Sequence, residues 1–134
     1  MVPLALAGAA AGTPYLLRHG SLPIAFALQR GFALVCHQRP ERSFWMFGAP
    51  VAVCARCLGI YLGAAFGLLL RLSRRGAILL LIGAAALNLL DAASESFGLH
   101  SNWLEARFVL GLLLGAAAAL LIASSLPRHL PQPS

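Results

Sequence analysis

All three cysteines of the chain lie in one short region, together with a histidine. Cys36 directly precedes His37, and Cys54 and Cys57 form a C-x-x-C pair further along the chain. Thiols three residues apart can both reach one ion at about 2.3 Å, and three thiolates with one imidazole are a common tetrahedral zinc set. The adjacent Cys36 and His37 are a weaker half-site, because neighbouring side chains tend to diverge. The spacing therefore predicts a metal site, zinc first, formed by Cys36, His37, Cys54 and Cys57.

The same cysteines allow two other interpretations. A C-x-x-C pair at a helix N-terminus beside Arg56 favours the thiolate, as in a membrane thiol-disulfide oxidoreductase that uses Cys54 and Cys57, with Cys36 as the resolving thiol. Such enzymes usually carry two thiol pairs, whereas this chain has three cysteines. Free cysteines also behave as small hydrophobic residues in membrane helices. Metal binding, thiol redox chemistry and simple packing all stay open.

A second set of polar residues follows in a more apolar stretch. Asn88, Asp91 and Glu95 are spaced three and four residues apart, so they share one helical face. Ionisable groups inside membrane spans are costly and usually pair or face a cavity. The face predicts either an ion pair that fixes helix register or a polar pocket beside the cysteines. The residues expected in that pocket are Asp91, His100, Arg107 and Arg56.

The composition requires a membrane around these groups. The chain has 134 residues, of which 60% are hydrophobic and 10% charged, with a mean hydropathy of +0.82. Soluble domains carry about 25% charged residues, and a bilayer span needs roughly 20 apolar residues. We therefore expect an all-α, polytopic membrane bundle of three to five spans, in one domain over 1–134. The basic residues are scattered at the ends of apolar runs, which argues against nucleic-acid binding and leaves the lipid bilayer as the partner.

Three apolar stretches are predicted to be spans. They cover residues 50–70, 76–93 and 106–126, and Pro50 suits the start of the first helix. A shorter stretch, 22–36, predicts a fourth span in spite of Arg30 in its middle. The apolar segment 1–17 is interrupted by prolines and lacks the basic start of a secretory signal, while the proline-rich tail 127–134 is expected to be flexible.

The arginines predict an orientation. The arginine-rich turn at 71–75 places the joint between the first two clear spans in the cytoplasm. The segments 37–49 and 94–105 then share the extracytoplasmic side, where the cysteine and histidine residues would lie. Arg39 and Arg42 in the first of these segments argue the other way.

Two of the predicted spans carry a small residue at every fourth position. Such faces allow close backbone approach between helices in lipid. They support a packed bundle, and they equally support a homo-oligomer or an accessory subunit of a larger membrane complex. The cysteines of the first span lie opposite its glycines, so this helix can pack through glycine and present its thiols to the loop of Cys36. The small residues are Gly59, Gly63 and Gly67, and Gly111, Gly115 and Ala119.

The cysteine motifs resemble those of a known family. The run C-H-Q-x-P-x-R-S-F from Cys36 to Phe44, followed by C-x-R-C-x-G-I-Y-x-G from Cys54 to Gly63, is similar to the hallmarks of small predicted bacterial membrane proteins of unknown function. The resemblance extends more loosely over about residues 30–115. It implies a multi-pass protein of the bacterial inner membrane and supplies no activity.

Overall fold

The computed structural model describes residues 1–99 and 103–126. Predictions that fall on His100 and on the tail 127–134 lie outside the described residues. Within the described ranges the chain forms five α-helices, one short 3-10 helix and one two-stranded hairpin. The α-helices are α1 (Val2–Arg18), α2 (Leu22–Ala33), α3 (Ala55–Gly67), α4 (Arg74–Ser96) and α5 (Leu104–Ser125).

Helices α4 and α5 are long and apolar enough to cross a membrane. They have 23 and 22 residues, with mean hydropathies of 1.9 and 2.3. Only 17% of the apolar window of α4 is buried inside the protein, so most of its apolar surface faces outward rather than into a core. Helix α3 is apolar but has 13 residues, which rise about 20 Å against a hydrocarbon core of about 30 Å. The chain is thus mostly helical with two candidate spans, and three to five spans stay a prediction.

Helices α3 and α5 pack backbone to backbone through glycine. A β-carbon placed on Gly59, Gly63 or Gly67 would overlap a carbonyl oxygen of α5. A β-carbon on Gly111 or Gly115 would overlap a carbonyl oxygen of α3 in the same way. Without side chains between them the two helices approach closely, as small-residue faces do in membranes. The two glycine faces therefore contact each other within one chain.

A short β-hairpin precedes α3, in the segment where the sequence predicted a helix from Pro50. Strand β1 (Trp45–Met46) pairs antiparallel with β2 (Ala49–Pro50). Between the strands, Phe47 and Gly48 have φ values of 51° and 79°, the conformation that two-residue hairpin turns favour. Because Pro50 is paired in this hairpin, it ends a strand instead of starting a helix.

Residues 51–53, which follow the hairpin, are buried and are not part of a helix. The N–H of Ala52 donates to the carbonyl of Ala10 in α1 at 3.4 Å. Ala10 lies four residues before Pro14, which has no N–H, so the helix itself leaves this carbonyl without a donor. Val53 is fully buried. These contacts hold the segment in a non-helical conformation until α3 begins at Ala55, five positions after the predicted start.

A small apolar core lies beneath this segment and joins the first three helices. Its buried members come from α1, α2, the loop after α2 and residues 51–53, and the first turns of α3 pack against it. The cysteines therefore lie where three helices meet rather than on an open loop. The buried members are Ala10, Phe32, Cys36, Val51, Ala52 and Val53.

Candidate metal centre

The structure brings the three cysteines together. The Sγ atoms of Cys36, Cys54 and Cys57 all lie within 4.8 Å of one another. Two thiolates on a tetrahedral ion with metal–sulfur bonds of about 2.3 Å are about 3.8 Å apart. Small side-chain movements would therefore close all three sulfurs on one ion. Cys36 is buried and the other two cysteines are half-buried, so the group is shielded without being sealed.

The C-x-x-C pair spans the N-terminus of α3. Cys54 is the N-cap residue, with an extended backbone (φ −67°, ψ 159°), and Cys57 is the third residue of the helix. Side chains at these two positions approach each other over the first turn, as they do in a capping box. The sequence predicted both thiols inside the helix, whereas the structure brings them together across its start.

This helix end also favours negative charge. The side chain of the N-cap residue Cys54 accepts no capping hydrogen bond from α3, and the N-terminus of a helix carries the positive end of its dipole. The thiols of Cys54 and Cys57 lie at this end. Thiolates, which are the metal-binding and nucleophilic form of cysteine, are stabilised in such a position.

Cys36 is held over the helix start by hydrogen bonds. The N–H of Cys54 donates to Sγ of Cys36 at 3.3 Å. In the same loop, Nε2 of Gln38 donates to the carbonyl oxygens of Gln29 and Ala52, both at 2.7 Å. Gln38 therefore links α2 to the buried segment before α3, and this brings Cys36 to the C-x-x-C pair.

Hydrogen bonding favours the ionised form of the Cys36 thiol. Hydrogen bonds from the thiol of Cys54, and next from that of Cys57, lower the pKa of Cys36 and outweigh the burial that would raise it. A thiolate at Cys36 would be stabilised by the backbone N–H of Cys54 and by the two neighbouring thiols.

His37 lies beside the cysteines but not among them. Its side chain is exposed and lines a cavity of about 330 Å³ that opens next to the three thiols. Within the described part of the chain, the ligand atoms that are mutually within 4.8 Å belong to the cysteines alone. His37 as the fourth metal ligand stays a prediction.

The charged residues of the second polar face form one network. Arg56 pairs with Asp91, and Arg107 pairs with Glu95. Nε of Arg107 also lies 3.8 Å from Oδ2 of Asp91. Arg42 joins from the loop before the hairpin, with Nη2 at 2.9 Å from Oε1 of Glu95. The network therefore ties this loop to the starts of α3 and α5 and to the end of α4.

Residues of the charged network line a small cavity together with one of the cysteines. A small cavity of about 70 Å³ is lined by Arg42, Cys54, Arg56 and Arg107. The sequence predicted that Arg56 and Arg107 lie near the cysteines, but it missed Arg42 and Gln38. Both missed residues lie in the motif that begins at Cys36, so the motif itself was the signal.

Asn88 serves a different purpose on the same face of α4. Its side chain is buried, and Nδ2 donates to the carbonyl oxygens of Ala84 at 2.9 Å and Leu110 at 3.0 Å. The second bond reaches across to α5. Asn88 therefore links the two candidate spans, below the charged network.

Comparison with known proteins places the chain in a family. Residues 36–121, which contain all three cysteines and the Asp91 network, match the family described as predicted membrane protein (DUF2085). The chain belongs to this family. Its matched range begins at Cys36, the first residue of the motif, so the candidate metal centre lies inside the family's own segment. The family description indicates a membrane protein and names no activity.

Two relatives come from methanogenic archaea. An uncharacterised protein of Methanocaldococcus jannaschii is 31% identical over 102 residues, which cover 69% of this chain and 64% of that protein. An uncharacterised protein of Methanothermobacter thermautotrophicus is 33% identical over 95 residues, covering 67% of this chain and 86% of the relative. The match thus spans less than two thirds of the first relative. No solved structure matches the chain.

The comparisons confirm the resemblance to a predicted membrane family. They do not support a bacterial origin, since both of these relatives are archaeal.

Proposed function

We propose that this chain binds one metal ion, zinc first, through Cys36, Cys54 and Cys57. The observation that carries the proposal is the mutual approach of the three Sγ atoms within 4.8 Å. The N-terminus of α3 and Arg56, which lines the same cavity as the three thiols, favour the thiolate form that a metal needs. Three protein ligands would leave a fourth tetrahedral position, and the cavity that the three thiols line is also lined by His37.

The fourth ligand separates two roles for the ion. If His37 turns inward to bind it, the site is a closed set of four ligands that stabilises the loop, as structural zinc does. If the fourth position stays open to the cavity, the site exchanges its ligand or its metal, and the protein handles the ion. The exposed position of His37 supports the open arrangement.

The proposed location is the cytoplasmic membrane, with several spans and the metal centre on the extracytoplasmic side. The exposed arginines of the 71–75 turn lie at one end of α4, and Asp91 and Glu95 lie at the other. Arg39 and Arg42, which argue against this orientation, make contacts that explain their presence near the metal centre. Arg42 pairs with Glu95, and Arg39 lines the cavity beside the thiols.

A second candidate is thiol redox chemistry at the same residues. Its support is the C-x-x-C pair at the start of α3 together with the easily ionised Cys36. Forming a Cys54–Cys57 disulfide from two thiols releases two protons and two electrons, which need an acceptor such as a membrane quinone. Attack of the Cys36 thiolate on that disulfide would then form a mixed disulfide within the chain and release one thiolate.

A third candidate, an accessory subunit of a larger membrane complex, cannot use the glycine faces. Those of α3 and α5 are already packed against each other. A partner or a second copy would have to bind another surface.

Metal analysis combined with thiol counting on the purified protein tests these candidates. About one zinc per chain, with three thiols protected until a chelator is added, is the expected result. No metal together with a reducible Cys54–Cys57 disulfide would favour redox chemistry instead. No metal with three free, unmodified thiols would leave packing as the only role of the cysteines.

Orientation needs a separate measurement with a membrane-impermeant thiol reagent on intact cells. Met46→Cys, at the exposed hairpin, should react, while Leu72→Cys, at the exposed arginine-rich turn, should react only after the membrane is opened. The reverse pattern would place the metal centre in the cytoplasm.

A further inference from the structure

Three arginines line the cavity beside the thiols. Arg39, Arg42 and Arg56 line it, together with His37, and none of the described lining residues is an aspartate or a glutamate. Its volume of about 330 Å³ falls in the range of small-ligand sites. Such a wall would attract an anion, and guanidinium groups pair especially well with phosphate oxygens.

Two of the three arginines form ion pairs with acidic residues of α4. Arg42 is anchored by Glu95, and Arg56 by Asp91. A guanidinium has five N–H donors, so one carboxylate partner leaves others available. Nε of Arg56 is buried and has no hydrogen-bond partner among the described residues. Arg39 forms no ion pair within the described ranges and lines the same cavity.

The start of α3 adds to this cationic environment. The side chain of its N-cap residue, Cys54, makes no capping hydrogen bond, and helix N-termini bind phosphate groups through their free N–H donors. Arg56 and Cys57, in the first turn of this helix, both line the cavity. The helix end alone would not define a site, but here it lies among three arginines.

An apolar groove adjoins the cationic cavity. It has a volume of about 390 Å³ and is lined by residues of α1, α2 and α3, among them Leu6, Leu28, Phe32 and Tyr61. Val35 lines both the groove and the cavity, so the two lie side by side. A cationic head site that continues into an apolar groove matches a molecule with an anionic head and a hydrocarbon chain.

We propose that the cavity and the groove together bind one anionic phospholipid. The phosphate would pair with Arg39, Arg42 and Arg56, and one acyl chain would lie along Phe32 and Tyr61. Basic pockets between membrane helices bind anionic lipid headgroups in this way. A soluble anion would bind in the cavity and leave the apolar groove empty. A lipid would fill both, and it is therefore the better match. The site is built from arginines and the groove, so it does not require the metal.

The headgroup half of the proposal is tested by lipid retention. The detergent-purified protein is mixed with equal amounts of phosphatidylglycerol and phosphatidylcholine of identical acyl chains, and bound lipids are counted by native mass spectrometry. We expect one phosphatidylglycerol per chain, preferred at least about tenfold, as a charge-assisted pair would give. Equal retention of the two lipids would overturn the proposal.

Arg39→Gln is the variant of choice for this half. It removes a charge from the cavity without breaking an ion pair of the described network. The preference for phosphatidylglycerol should fall about tenfold, while the zinc content stays unchanged. The matched control is Arg71→Gln, in the exposed turn at the other end of α4. An unchanged preference in Arg39→Gln, or an equal loss in Arg71→Gln, would contradict the assignment.

Gly31→Leu tests the groove half. Gly31 lines the groove, and a β-carbon there would meet no atom within 4 Å, so the larger side chain fills the groove without disturbing the helix packing. Retention of phosphatidylglycerol should fall several-fold. Gly83→Leu is the control, because Gly83 in α4 also faces open space. Equal retention of phosphatidylglycerol in both variants would show that the acyl chain of the lipid does not bind in the groove.

Inorganic phosphate separates a lipid site from a site for free anions. Phosphate added at millimolar concentration should displace little phosphatidylglycerol, because it gains nothing from the groove. Full displacement, with no effect of Gly31→Leu, would overturn the lipid proposal in favour of a soluble ligand. Metal is measured on the same samples, so lipid retention without zinc would defeat only the metal proposal.

Discussion

Helices α3 and α5 meet in two different ways along their length. In the middle they touch through Gly63 and Gly115, where no β-carbon fits between the backbones. At their starts they are joined by Arg56 and Arg107, which share the carboxylate of Asp91. The glycine contact depends on volume alone. The polar end depends on charge and on the chemistry of individual atoms, and it is the end that carries the thiols.

The largest effect is expected from adding volume at the glycine contact. Gly63→Leu should destabilise the protein by at least about 3 kcal/mol, because a β-carbon there overlaps the backbone of Leu112. Thermal unfolding in detergent, followed by tryptophan fluorescence, gives the measurement. Gly83→Leu, at an open position, should unfold close to the wild type. Equal stability of the two variants would show that α3 and α5 do not pack through glycine.

Breaking the buried charge pair at the polar end should have the next largest effect. Arg107 is 4% exposed, and its replacement by methionine leaves Asp91 and Glu95 without their buried partner. The loss should be about 3 kcal/mol by equilibrium unfolding. Arg107→Met combined with Glu95→Gln should recover part of the lost stability, since a neutral amide then replaces the carboxylate of Glu95. If the double variant is no more stable than the single one, the network is not coupled.

Metal removal should affect the polar end and leave the glycine contact unchanged. With zinc at about a hundred times its dissociation constant, the wild type should gain about 2.7 kcal/mol of stability. A chelator should remove that gain, while Cys57→Ser should show no response to zinc or to chelator. Because serine is nearly the size of cysteine, this variant tests the thiolate rather than the packing. A chelator response that persists in Cys57→Ser would contradict the assigned ligand.

The smallest effect separates the two forms of the metal site. His37→Ala should reduce zinc retention less than tenfold if the fourth position is open, compared with at least about a hundredfold for Cys57→Ser. Competition with a colorimetric zinc chelator measures both. An equal loss in the two variants would make His37 a full ligand and the site a closed, structural one.

Local pattern was enough to predict the long helices. The apolar run predicted at 76–93 is helix α4 at Arg74–Ser96, and the run at 106–126 is α5 at Leu104–Ser125. Hydropathy succeeds there because the whole element is apolar and its ends are marked by polar residues. The proximity of Cys54 and Cys57 also followed from spacing, since three residues correspond to one turn at a helix start.

Long-range hydrogen bonds explain what could not be predicted. The sequence predicted residues 50–54 as part of an apolar span, but the backbone of Ala52 bonds to Ala10 and Gln38, and the segment is not helical. The pairing of Arg42 with Glu95 likewise joins a loop to a helix far along the chain. Composition and periodicity contain no information on such partners, because these depend on how the helices are arranged.

Pro14 in α1 affects the structure next to the cysteines. By withholding one N–H from α1 it leaves the carbonyl of Ala10 open, and Ala52, two residues before Cys54, occupies that place. Yet α1 lies outside residues 36–121, the range that matches the family. The cysteine motif is therefore positioned in part by the carbonyl of Ala10, which lies outside the range that the family shares. A protein that keeps the cysteines but begins with a different segment must supply another acceptor for this amide, or its thiols will be less firmly positioned.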